Sequence, residues 1–187
     1  MLSSDKTVPL ANPRGTLLAW LGGSALAMFA VVLALGFAGF RVNFTPSEPL
    51  GLWRIVPLDR AVHNGDVVFV CPPATDVMRE ARARGYLRRG FCAGGVAPLI
   101  KMVAAMSGQA VEIGDDVRID GQRLSSSRVM PLDGNGRRLV PDRGGPIPPG
   151  TVYLHSEFPG SFDSRYFGPL PVDGILGLAR EVWTYAP

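Results

Sequence analysis

The 187-residue chain contains only two cysteines, two histidines and two lysines. Cys71 and Cys92 are too few for a disulfide-dense scaffold. With no C-x-x-C pair, and only His63 and His155 to help them, they form no zinc set of ordinary spacing, so no metal and no cofactor is expected. No G-x-S-x-G turn occurs, which leaves a Ser-His-Asp triad without a local signature. Cys71-Pro-Pro and Phe91-Cys92-Ala-Gly-Gly read as the ends of a bridged insertion rather than as an activated thiol. One Cys71–Cys92 disulfide is expected if the domain faces an oxidising compartment. Charge is also sparse: 19% of residues are charged and the net charge is +3, too small a bias to imply nucleic acid. The 23 glycines and 17 prolines are scattered rather than periodic, which excludes a collagen-like chain and suits a loop-rich β domain.

One long stretch does lack charge altogether. Between Arg14 and Arg41 no charged residue occurs, and Thr16 to Phe40 exceeds the roughly 20 residues an α-helix needs to cross a bilayer. Residues 16–40 are therefore read as a transmembrane helix. Lys6 and Arg14 precede it, which favours a cytoplasmic tail over residues 1–15 and leaves residues 41–187 outside the cytoplasm. A cleaved signal peptide is the alternative, with Ala38-Gly39-Phe40 imitating a cleavage site, but its apolar region is usually shorter.

Beyond the anchor, short runs rich in β-branched and aromatic residues alternate with turn signals, the pattern of a mainly β fold with antiparallel pairing. Strands are expected at 51–56, 66–71, 99–105, 110–113, 117–119, 151–154 and 174–183. Residues 116–124 read as a hairpin turning at Asp120-Gly121. A short basic helix is expected over Ala74 to Arg89, capped at Thr75 or Asp76, inside an insertion at about 72–91. Its arginines, Arg79, Arg82, Arg84, Arg88 and Arg89, read as a solvated face, with anionic lipid headgroups or an acidic partner as the other reading.

Lysine is the remaining base. Lys6 lies in the tail, whereas Lys101 sits in the apolar run Pro98-Leu-Ile-Lys-Met-Val-Ala-Ala105, where loss of hydration lowers an amine's pKa and frees it to accept a proton. The bland alternative is a lysine that snorkels to solvent. Ser47 lies between Pro46 and, two residues on, Pro49, and these prolines restrict the backbone around its N–H.

Ser47-x-Pro49-x-Gly51, the Lys101 run some fifty residues later and Ser161-Phe-Asp-Ser-Arg-Tyr-Phe-Gly-Pro169 together resemble, in order and spacing, the three catalytic boxes of type I signal peptidases. The resemblance covers nearly the whole chain and is nearest to the conjugative-transfer, TraF-type branch, through Phe162-Asp-Ser-Arg-Tyr-Phe-Gly168 and the Cys71 to Cys92 insertion. It implies a signal-peptidase-like β domain in which Ser47 is the nucleophile and Lys101 its general base. The Ser47 N–H and the Thr45 hydroxyl hold the oxyanion, Ser161 orients the lysine amine, and Asp163 and Arg165 form a steadying ion pair. Asp163 assisting Lys101 directly is the alternative for this branch. The chain departs from the pattern after Lys101, where Ser107 and Gln109 replace a Pro and an Asp, and in 156–160, where the upstream half of the third box is not recognisable.

The expected function is a membrane-anchored serine endopeptidase of the bacterial inner membrane, with its catalytic domain periplasmic. It would act on a membrane-bound precursor, a pilin or another conjugative-transfer protein, with the lipid bilayer and conjugative-transfer or type IV secretion components as partners. A general signal peptidase and a non-enzymatic scaffold module of a transfer complex are the alternatives.

Overall fold

The computed structural model describes residues 13–186. The tail read as cytoplasmic, with Lys6, lies outside this range for its first twelve residues. The chain divides into two units, residues 1–39 and 40–187.

In the first unit the described part is one α-helix, α1, Pro13–Phe37. Proline suits the first helical turn, because that N–H has no intrahelical acceptor to lose. Trp20–Phe37 has a mean hydropathy of 2.0, and its large apolar side chains, among them Trp20, Leu26 and Phe29, are exposed. A helix of this length and composition can cross a membrane. It starts and ends three residues earlier than the apolar run read from sequence, because Phe40 already belongs to the first strand.

The second unit is mainly antiparallel β. Its strands are β1 Phe40–Asn43, β2 Leu50–Val56, β3 Val67–Val70, β4 Arg89–Cys92, β5 Leu99–Met106 and β6 Ala110–Ile113. They continue with β7 Val117–Ile119, β8 Gln122–Arg123, β9 Gly145–Pro146, β10 Thr151–His155, β11 Leu170–Pro171 and β12 Ile175–Tyr185. Two short helices interrupt them, α2 Asp76–Ala83 and α3 Ser164–Phe167.

Seven strands form one sheet in the order β1-β2-β12-β3-β5-β10-β11, and four form a smaller one in the order β8-β7-β6-β9. The last long strand, β12, lies between β2 and β3, and register shifts at 175/177 and 181/183 let one segment pair with both. Side chains alternate across β3: Val68 and Val70 enter the main core with Val103, Val152 and Leu154, while Phe69 packs with Trp53, Ile100 and Ala179 on the opposite face. A third cluster, Val111, Val117, Ile147 and Tyr153, joins the small sheet to the large one.

Local chemistry explains the elements that the sequence pattern reads well. In the β7–β8 hairpin Ile119 pairs with Gln122, and Asp120 and Gly121 between them take φ of 50° and 77°, as a type I′ turn requires. Thr75 caps α2, its hydroxyl accepting the Met78 N–H at 3.3 Å. The helix stops at Ala83, six residues short of the expected Arg89; Gly85 follows the cap, and Arg89 belongs to β4. Arg79, Arg82, Arg88 and Arg89 are exposed, as a solvated face requires, and two of the arginines also tie into the fold: Arg82 donates to the Gly94 carbonyl at 2.6 Å and Arg84 to that of Arg138 at 2.7 Å.

The Cys71–Cys92 disulfide, with Cα atoms 5.4 Å apart, closes the insertion at its base. Cross-linking a loop of this length restricts the unfolded chain by about 3 kcal/mol. A Cys71→Ala/Cys92→Ala variant is accordingly expected to lose about 2–4 kcal/mol of stability. Chemical unfolding of the full chain in detergent would read this as a lower midpoint, and an unchanged midpoint would show that packing alone holds the insertion.

Candidate active site

Three segments far apart in sequence meet at one cleft of about 370 Å³ whose lining includes Thr45, Ser47, Lys101 and Ser161. Ser47 lies on the turn between β1 and β2. Gly51, the last residue of the Ser-x-Pro-x-Gly pattern, has a φ of 125°, and a Cβ there would come within 2.3 Å of the Trp183 carbonyl. That glycine permits β2 to lie against β12 immediately after the turn. The Trp53 indole, 2% exposed, donates back to the Pro49 carbonyl at 2.9 Å.

Lys101 is on β5, opposite Val68 of β3, and is 3% exposed. It does not snorkel. Its Nζ donates to Ser161 Oγ at 2.7 Å. Burial lowers the amine to about 8, working against the charges of Asp163 and Glu48, which favour the cation, while Arg165 opposes it. Beside Ser47, burial raises the Glu48 carboxyl to about 7 although the Lys101 charge pulls it down.

Behind the cleft, Asp163 and Arg165 are fully buried. Arg165 grips Asp163 with two side-chain bonds of 2.8 Å, Nε to Oδ1 and Nη2 to Oδ2. The same guanidinium donates to the Ser161 carbonyl at 3.0 Å and to the Arg128 carbonyl at 2.8 Å, so the pair fixes the backbone that carries Ser161. Asp163 also caps α3 by accepting the Arg165 N–H at 3.1 Å. Burial alone would raise this carboxyl; the contacts of His155 and Arg165 hold it below its ordinary value. His155, fully buried, places Nδ1 3.4 Å from Asp163 Oδ2 and Nε2 3.1 Å from the Ser125 carbonyl.

Three participants were not singled out from the sequence. Asn43 is buried beneath the Ser47 turn, and the Ser156 hydroxyl donates to the Ser47 carbonyl. A single polar residue at a strand end or just past one carries no signal of such contacts, whether local, as for Asn43, or distant in sequence, as for Ser156. His155, the last residue of β10, looks in sequence like any histidine at a strand end, yet it packs beside Asp163. The departure at Gln109 has a local account: its Oε1 accepts the Met106 N–H at 2.9 Å, and its Nε2 donates to Asp120 at 2.8 Å.

The model of the family described as "Signal peptidase, peptidase S26" matches residues 16–184. The chain belongs to this family. Among curated relatives of this S26 chain, the conjugal transfer protein TraF of Agrobacterium tumefaciens is 58% identical over 170 residues, covering 91% of this chain and 97% of the relative. The plasmid transfer protein TraF of Escherichia coli is 37% identical over 170 residues, covering 88% and 93% of the two chains. A crystal structure of a signal peptidase I from Enterococcus faecalis aligns over 64% of this chain and 97% of its own, with a TM-score of 0.40 and 18% identity.

Removing one member of the buried ion pair would strand its partner. Asp163→Ala is expected to destabilise this S26 chain by roughly 3–5 kcal/mol, because the Arg165 charge would remain buried without its carboxylate. Thermal unfolding checks this, and a loss below about 1 kcal/mol would mean that Arg165 reaches water.

Proposed function

We propose that this S26 chain is a membrane-anchored serine endopeptidase that cleaves translocated precursors through a Ser47–Lys101 dyad. The observation that carries the reading is a lysine amine buried in an apolar strand, hydrogen-bonded to Ser161, in the same cleft as a serine on a constrained turn. A neutral amine that donates one N–H to Ser161 Oγ keeps its lone pair for the Ser47 proton. Ser47 then attacks the scissile carbonyl, and Lys101, protonated in that step, returns the proton to the leaving amine. The oxyanion is received by the Ser47 N–H with the Thr45 hydroxyl beside it. Asp163 and Arg165 act by holding Ser161, and through it Lys101, in place. Water or a substrate amine resolves the acyl-enzyme.

The names of the TraF relatives support a conjugative setting; in this reading the substrate is a pilin or another transfer protein, cleaved after small residues such as Ala. On the same reading the residues before α1 are cytoplasmic, α1 spans the inner membrane, and the domain over 40–187 works on the periplasmic side with its insertion at about 72–91. Tethering enzyme and precursor to one membrane raises their effective concentration without tight binding.

Two outcomes are expected. With a membrane-inserted pilin precursor and equally folded full-length proteins, Ser47→Ala abolishes cleavage and Lys101→Ala lowers it by at least about a hundredfold. Unchanged cleavage by either variant would overturn the dyad. The pH dependence follows from the base having to be neutral. Cleavage falls as pH drops below the Lys101 value of about 8 and levels off above it. A Glu48→Gln variant keeps this acid limb, moved slightly lower because a charge that favours the ammonium is gone; loss of the limb would assign it to Glu48 instead.

A further inference from the structure

The turn that carries Ser47 is held from inside by one side chain. Asn43, the last residue of β1, is 8% exposed. Its Nδ2 donates to the carbonyls of Thr45 at 2.9 Å, Glu48 at 2.9 Å and Pro49 at 3.0 Å. Its Oδ1 accepts the Thr45 N–H at 3.0 Å and lies 2.7 Å from Thr45 Oγ1. The amide has only one workable orientation, because three carbonyls must face its nitrogen and a backbone N–H its oxygen. The Thr45 hydroxyl, set against an oxygen that carries no hydrogen, must therefore be the donor. Its single proton is committed to Asn43 when no substrate is bound.

We propose that Asn43 is a positioning residue for the peptidase reaction: it closes the turn around Ser47 and holds the Thr45 hydroxyl proton in reserve for the oxyanion. The proposal rests on the Ser47–Lys101 reading. In the free enzyme the proton lies on a neutral amide acceptor. When Ser47 adds to the carbonyl, the charged oxygen is the stronger acceptor, since charge-assisted hydrogen bonds are roughly twice as strong as neutral ones. The hydroxyl then turns to it while the Thr45 N–H stays on Asn43. The exchange gains free energy only as charge develops, so it accelerates the chemical step rather than substrate binding.

The test uses full-length protein and a pilin precursor that has Ala before the cleaved bond, both in detergent micelles. Thr45→Val is expected to lower kcat by about a hundredfold with little change in KM, the usual size for one oxyanion donor, and Thr45→Ser to retain activity. Asn43→Ala lowers kcat to a similar extent, and the double variant loses little beyond the worse single one, since Thr45 works only where Asn43 presets it. Effects that multiply in the double variant, or a kcat for Asn43→Ala within about twofold of wild type, would overturn the proposal. Ser47→Ala and Lys101→Ala in the same assay separate the two failures. If they still cleave, the dyad reading falls; if they are inactive while Asn43→Ala is unimpaired, only this inference falls. Amide hydrogen exchange needs no substrate: in Asn43→Ala faster exchange should be confined to 45–50. Unaltered exchange there, or loss of protection throughout β1 and β2, would also overturn it.

Discussion

The rest of the catalytic domain is arranged around the desolvation of one amine. Lys101 occupies a strand position opposite Val68 and is 3% exposed, a place where an ammonium loses most of its hydration. Among the described residues, the protein sets no carboxylate in hydrogen-bond contact with that amine. It gives the amine a hydroxyl, Ser161, and sets Asp163 behind, already claimed by Arg165. A carboxylate bonded straight to Nζ would favour the ammonium and raise the amine's pKa. Splitting the task in this way keeps the amine's pKa low while the buried negative charge is balanced elsewhere.

The antiparallel sheet makes the meeting of these groups possible. β5 places Lys101 between β3 and β10, the loop after β10 supplies Ser161 and Asp163, and the turn between β1 and β2 supplies Ser47. β12 joins these two regions by pairing with both β2 and β3. The contact of the Ser156 hydroxyl with the Ser47 carbonyl ties the Ser47 turn directly to the segment leading into Ser161. The disulfide-closed insertion adds Tyr86, Leu87 and Arg88 to the cleft lining, and Arg88 lies 5.6 Å over the Phe44 ring. A surface excursion thereby becomes part of the site.

Much of this is readable from local chemistry. Strand positions follow from runs such as 110–113 and 117–119, where β-branched residues leave little choice, and the Asp120-Gly121 turn follows from its need for positive φ at both residues. The end of α2 was overestimated because basic residues with good helix propensity continue past Gly85, and propensity is a weak guide once a glycine and a following strand compete. Asn43 and Ser156 carry no local signal, because a short polar side chain at or just past the end of a strand looks the same in sequence whether it faces water or a carbonyl.

By itself, then, the sequence determined the elements whose causes are local: an apolar helix of membrane-spanning length, short alternating strands, turns set by glycine and proline, and the residue types able to attack a carbonyl. Tertiary structure alone decided which of those residues share a cleft, that Lys101 is buried rather than snorkelling, that the two cysteines are bridged, and that Asn43 holds the Ser47 turn. Burial and long-range hydrogen bonds depend on strand order and register, and those are settled by packing the whole domain at once rather than by any one segment.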